Sequence, residues 1–402
     1  MPQSAPPATP APQGMALVLL GGGARTAYQA GVMGALGTIL QEQGWPAACN
    51  PFPVVCGTSA GAINAAYFAS GCTDWAHTLE ALQSLWSQLQ VRDVFAADAL
   101  RLLHGGLRWL GLMAFGWLWR QSPRALLDNT PLANTLGRLL HFDRVDAAIQ
   151  SGALRALAVA TSSYSSGRHI TFFQARADVQ PWRRPGLWGV PQPIGVEHLL
   201  ASSALPFVFP AVPLWCESGP EYFGDGAMRQ LAPLAPAIHL GAERMLAIGV
   251  AEPHAQMAQA STRLPPYPSV AQIAAHAMSS VFLDTLRADA QQAGRIDRML
   301  DNLPEAERLQ QPYRPIAVLT LLPSTSINAI AAQHWSSMPR SARRLLQSVG
   351  AGTGGGAALA SYLLFTPDYL SALVQLGRAD ALAQRADIAA FFAPALAAAH
   401  CA

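Results

Sequence analysis

Short apolar runs that stop at glycines alternate with longer stretches of helical spacing through the early part of this chain. Residues 16–20 (ALVLL) are continuously apolar and end on Gly21, Gly22 and Gly23. A buried strand closing in a tight turn has this pattern. Residues 27–43 follow with Ala30, Met33, Leu36 and Leu40 at helical intervals. A second strand, 53–56, runs into Gly57, and small residues carry a helix over about 59–70. Strand, helix, strand, helix predicts parallel strands with helices on both faces. Further strands are expected at 154–161, 169–173, 244–250 and 316–321. Helices are expected at 75–90, 130–140, 271–300 and most of 341–390, with a glycine-rich break at 350–356. No strand pattern follows Leu322. The expected fold class is α/β, three layers with a mainly parallel central sheet. Residues 1–14 read as a Pro/Ala-rich tail, 15–325 as the main domain with a helical insertion at about 90–150, and 326–402 as a helical C-terminal extension.

Composition narrows the chemistry. The 402 residues are 51% hydrophobic, enough for at least one large core. A net charge of +2 with scattered basic residues gives no nucleic-acid footprint. All 26 basic residues are Arg, with no Lys. A phosphate-binding P-loop, a pyridoxal Schiff base and a Ser-x-x-Lys acyl enzyme each need a Lys, so none can be built here. Cys49, Cys56, Cys72, Cys216 and Cys401 form neither a zinc spacing nor a disulfide framework, which fits a reducing, cytoplasmic setting. Residues 15–40 are apolar, but Arg25 and the repeated Gly argue against a membrane span.

Gly57-Thr58-Ser59-Ala60-Gly61 fits G-x-S-x-G at a strand-to-helix turn. Such a turn lifts the Ser out of the sheet, and flanking glycines let neighbouring chain pass close. The helix start adds a favourable field for an oxyanion. Gly21-Gly22-Gly23-Ala24-Arg25 ends the preceding strand, and its backbone N–H groups could form an anion nest. A dinucleotide loop would need Gly where Thr26 stands, and Glu42 lies in the helix rather than at a strand end. An oxyanion loop serving Ser59 uses both motifs together, and a plain tight turn is the bland alternative. Asp225, between Gly224 and Gly226, reads alone as a turn former. As a general base for Ser59 it would need partial desolvation, since an ordinary Asp at about 3.9 is a poor base.

Taken in order, Gly21–Arg25, Gly57–Gly61, Ala201-Ser202-Ser203-Ala204-Leu205-Pro206 with Phe209-Pro210, and Asp225-Gly226-Ala227 resemble the patatin-like phospholipase family. The likeness spans roughly 16–250, with 316–321 a candidate last strand. It implies a patatin-like fold, Ser59 as nucleophile, Asp225 as its partner in a dyad without His, and Gly21, Gly22, Gly23 and Arg25 as the oxyanion loop. It also implies hydrolysis of phospholipid or other lipid acyl esters, with no metal cofactor. Acyl transfer at the same site and a catalytically idle lipid-binding scaffold are the alternatives. Thr26 departs from the Arg-Gly that commonly continues the glycine loop. An ordinary α/β-hydrolase would place its elbow later and use a His, yet His239 and His254 sit in no recognisable motif.

Residues 109–119 (WLGLMAFGWLW) carry no charge and are flanked by Arg108 and Arg120. As a helix of about 16 Å they are too short to span a hydrocarbon core of about 30 Å. Trp109, Trp117 and Trp119 suit an interface, which makes peripheral membrane contact the expectation, with a buried or capping helix the alternative. Residues 181–188 (PWRRPGLW) read as an aromatic-basic surface loop. Changing the three Trp to Ala should abolish flotation of the protein with liposomes. Unchanged flotation would mean that the segment is core or cap.

Overall fold

The computed structural model describes residues 14–96, 125–253, 285–348 and 357–401. Its centre is a sheet of order β10-β9-β1-β2-β3-β4-β6-β5. Strands β1 (Met15–Leu19), β2 (Val54–Thr58) and β3 (Ala156–Ser163) are parallel neighbours. So are β9 (Arg244–Ile248) and β10 (Ala317–Leu321) on the far side of β1. Beyond β3 the sheet becomes mixed: β4 (His169–Ala175) is antiparallel to β3, β6 (Leu187–Pro191) parallel to β4, and β5 (Trp182–Arg184) antiparallel to β6. A hairpin of β7 (Val212–Cys216) and β8 (Gly219–Asp225) joins through β8, which pairs antiparallel with β3.

Strand alternation sorts the apolar side chains into two cores. Met15, Leu17, Leu19 and Val55 face one layer, and Ala16, Val18, Val54 and Cys56 the other. Helices α1 (Ala27–Glu42), α2 (Ala60–Gly71) and α3 (Trp75–Gln88) cover the first face. The short α4 (Val91–Val94) follows α3. Further along the chain come α5 (Thr130–Leu139), α6 (Phe142–Gln150) and α7 (Val196–Ser202). The second face is covered by α8 (Ala235–His239) and α9 (Thr285–Asp301), which contribute Ala237, Leu286 and Ala290. The three-layer α/β expectation with a mostly parallel sheet is met.

Four strands, β5 to β8, depart from the sequence expectation. The 181–188 stretch is not a plain loop but the β5–β6 hairpin at the sheet edge, with Trp182 stacked on Phe173 at 5.0 Å. These strands carry Pro191, Pro213 and Pro220 and expose many side chains, so neither propensity nor clean alternation marks them. The Trp109–Trp119 segment lies outside the described residues.

After Leu321 the described chain is helical: α10 (Glu305–Arg308) precedes β10, and α11 (Ile327–Gln333), α12 (Arg340–Ser348), α13 (Ala357–Leu363), α14 (Pro367–Ala383) and α15 (Arg385–Cys401) follow it. The helices after β10 share the first core. Tyr362, Tyr369, Leu373 and Phe392 are buried there beside α1 residues. Where α1 crosses α14, a Cβ on Gly31 would stand 2.0 Å from the Val374 carbonyl oxygen, and one on Gly377 would stand 2.1 Å from that of Tyr28. Backbone contact on both sides leaves no room for a side chain. Gly377→Val should therefore destabilise by at least about 1–3 kcal/mol, read by thermal unfolding. Gly137→Ala, in the open on α5, should leave the melting temperature unchanged or raise it.

Candidate active site

Two strands meet end to end along one edge of β3. Strand β2 runs parallel to β3 and ends with Thr58 opposite Ala160. Strand β8 runs the other way and ends with Asp225 opposite Thr161, the next residue of β3. The residue that leaves β2 and the residue that ends β8 are thereby brought together. Ser59 Oγ donates a hydrogen bond of 2.6 Å to Asp225 Oδ2.

Ser59 stands in a strained backbone conformation, φ 55° and ψ −133°, between the strand and α2. Such a conformation costs roughly 1–3 kcal/mol and persists only where surrounding structure enforces it. The enforcement is visible. A Cβ on Gly61 would stand 2.4 Å from the Leu19 carbonyl oxygen, so α2 starts hard against β1. The Ser59 N–H donates to Ser202 Oγ at 2.8 Å, and the Ser202 hydroxyl donates to the Ala160 carbonyl at 2.6 Å. The end of α7 also holds the carboxylate strand: Asp225 N–H donates to Ala204 O and Gly226 N–H to Ser202 O. Ser202 thus ties both halves of the pair. Its place in a Ser-Ser dipeptide carries no signal of that role.

Asp225 is fully buried, and burial pushes its carboxyl up to about 7, although hydrogen bonds from Ser59 and from the Ala227 N–H to Oδ1 (2.9 Å) act the other way. Among the described residues no histidine hydrogen-bonds either member of the pair. His239 stacks on Trp182 at 4.8 Å in the second core layer, and His254 is outside the described residues.

Gly21 and Gly22 lead from β1 into a 3-10 turn, Gly23–Thr26, closed by the Arg25 N–H on Gly22 O and the Thr26 hydroxyl on Gly23 O. Gly23 has φ +55°, and a Cβ there would stand 2.4 Å from the Tyr362 carbonyl oxygen. Only glycine satisfies both conditions. Gly23 lines one cavity with Ser59 and Ala60. The Arg25 side chain goes elsewhere. It is buried, with Nε on Ser361 Oγ (2.8 Å), Nη2 on Asn328 Oδ1 (2.7 Å), Nη1 3.8 Å from the Glu252 carboxylate, and its guanidinium 4.0 Å above the Tyr362 ring. Through Arg25 the glycine turn is clamped to α11 and α13.

The cavity at Ser59 has a volume of about 60 Å³ and an almost wholly apolar wall. Leu85 and Trp86 of α3 and Leu89, the extended residue after it, line it together with Leu132 and Leu136 of α5. Tyr362 and Phe365 line it from the C-terminal region. Among the described residues no three His, Cys, Asp or Glu side chains cluster as a metal site would require, and no helix is long and apolar enough to cross a membrane.

The raised carboxyl has a stability consequence. The folded state holds the Asp225 proton more tightly than the unfolded chain, so stability falls as pH rises from about 4 through about 7. Asn cannot ionise. The melting temperature of Asp225→Asn relative to the parent protein should therefore increase between pH 5 and pH 8. A difference independent of pH would mean that Asp225 titrates as it does in the unfolded chain.

No curated protein sequence matches the chain. Among solved structures, the crystal structure of VipD from Legionella pneumophila aligns at 13% identity and a TM-score of 0.33, covering 94% of this chain and 68% of that one. The family model described as patatin-like phospholipase matches residues 17–238, which contain Ser59, Asp225 and the glycine turn. The chain belongs to the patatin-like phospholipase family.

Proposed function

We propose that this protein is a serine hydrolase of lipid acyl esters in which Ser59 is the nucleophile and Asp225 its general base. Lipid acyl hydrolysis is the general activity of the family. The observation that carries the finer reading is the 2.6 Å hydrogen bond from Ser59 Oγ to a fully buried carboxylate. A carboxyl raised to about 7 is a stronger base than an ordinary Asp and is still substantially ionised at neutral pH.

The chemistry then runs in two halves. Ser59 Oγ attacks the acyl carbonyl as Asp225 takes the hydroxyl proton. The oxyanion is held by the backbone N–H groups of Gly22 and Gly23, with help from the α2 N-terminus. The bond to the alcohol breaks, and the departing oxygen takes the proton from Asp225, leaving an acyl-enzyme. Water attacks this ester while Asp225 accepts a proton from it. That proton returns to Ser59 as the fatty acid leaves. The apolar wall of the cavity supports an acyl chain as the bound group.

A fluorophosphonate should label the intact protein and fail to label Ser59→Ala. No labelling of the parent, or equal labelling of the variant, would overturn the enzyme reading. Asp225→Asn should lower kcat/KM for ester hydrolysis by about 10²–10⁴-fold or more while the fold persists. In the parent protein kcat/KM should rise with pH through about 7, as the carboxyl ionises. A flat profile across that range would remove Asp225 as the base.

A further inference from the structure

The cavity at Ser59 by itself holds only the first part of a lipid acyl chain. At about 60 Å³ it holds only about four to six water-sized groups. Its walls differ in kind. On the C-terminal side Phe365 is buried and its ring stacks on Trp86 at 6.5 Å with an interplanar angle of 22°. The Trp86 indole N–H is itself fixed on Asn64 Oδ1 at 2.7 Å, and Arg25 clamps neighbouring Ser361. That side also borders an outer hollow of about 260 Å³ at Phe365, but it is pinned by ring stacking and hydrogen bonds.

The wall between α3 and α5 is not. Leu85, Leu89, Thr135 and Leu139 line the Ser59 cavity and also a second hollow of about 310 Å³ outside it. The three leucines are only partly buried. This boundary is lined by leucine side chains beside Thr135, whose hydroxyl donates to the Asp93 carbonyl; the leucines give way at less cost than backbone or hydrogen-bonded groups. The outer hollow is rimmed by polar side chains, Gln88, Asp93 and Arg138. An apolar channel with a catalytic hydroxyl at its inner end and polar groups at its mouth fits an unbranched acyl chain.

We propose that the acyl chain of the substrate runs from Ser59 outward between α3 and α5, and that Leu89 and Leu139 determine the chain length accepted. The proposal rests on Ser59 being the nucleophile. Chains longer than the inner cavity part these two leucines and continue into the outer hollow, whereas short acyl groups stay within the inner cavity.

The test uses p-nitrophenyl esters of four to sixteen acyl carbons with the full chain and with Leu89→Trp, Leu139→Trp and Leu139→Ala. Both Trp variants should lower kcat/KM for esters of twelve or more carbons by at least about tenfold. Any change with four-carbon esters or in labelling by a short fluorophosphonate should be smaller than the loss with the long esters, so that the ratio of long-chain to short-chain kcat/KM falls. Leu139→Ala should shift the preference toward longer chains and serves should a Trp variant fail to fold. Labelled, active variants with an unchanged chain-length profile would overturn the proposal. So would a profile moved by Phe365→Ala and not by changes at Leu89 or Leu139, which would place the chain on the opposite side. A parent protein that neither labels nor hydrolyses any ester would instead overturn the enzyme reading, and this proposal with it.

Discussion

The end-to-end meeting of β2 and β8 along β3 is the constraint from which the rest of the site follows. Thr58 and Asp225 occupy successive positions against Ala160 and Thr161, on strands of opposite direction. A slip of either strand by one residue would exchange the side chains on its two faces, which in β2 pack against different core layers. The distance between the Ser59 hydroxyl and the Asp225 carboxylate is therefore set by sheet register rather than by flexible loops. Ser202 adds a second tie, since its hydroxyl spans from the Ser59 N–H to the β3 backbone.

Burial of this junction governs its chemistry. A carboxylate in water would be too weak a base to draw a proton from a serine, and burial strengthens it by disfavouring its charge. The same burial makes the charged site costly to the fold. The strained Ser59 backbone adds to that cost. Both are tolerated because the surrounding sheet and helices are tightly packed, with α2 starting in backbone contact with β1. Strain at Ser59 and a buried ionisable group at Asp225 thus lie within one hydrogen bond of each other.

The C-terminal helices belong to the same construction although the matched family region ends at residue 238. They cross α1 at Gly31 and Gly377, where two backbones touch. They receive the Arg25 side chain from the glycine turn and return Tyr362 and Phe365 to the cavity wall. A residue of the glycine loop thus acts on the site through packing and hydrogen bonds to distant segments. Its guanidinium is occupied by Ser361, Asn328 and the Tyr362 ring.

The sequence by itself determined the local features: the strand–turn–helix around Ser59, the glycine turn after β1, the parallel opening of the sheet and the helical character of the C-terminal region. These follow from short-range rules, because apolar runs, glycines and helical spacing act over a few residues. The order of motifs also singled out Asp225, which alone reads as a turn former. Tertiary structure decided what depends on contacts between distant segments. The β5 to β8 strands gain their pairing from neighbours rather than from propensity, so proline-bearing, exposed stretches hid them. The directions of Ser202 and Arg25 depend on partners far away in the chain, and no local pattern encodes them. The raised carboxyl of Asp225 likewise arises only once the sheet closes over it, since desolvation is a property of the packed environment and not of the residue.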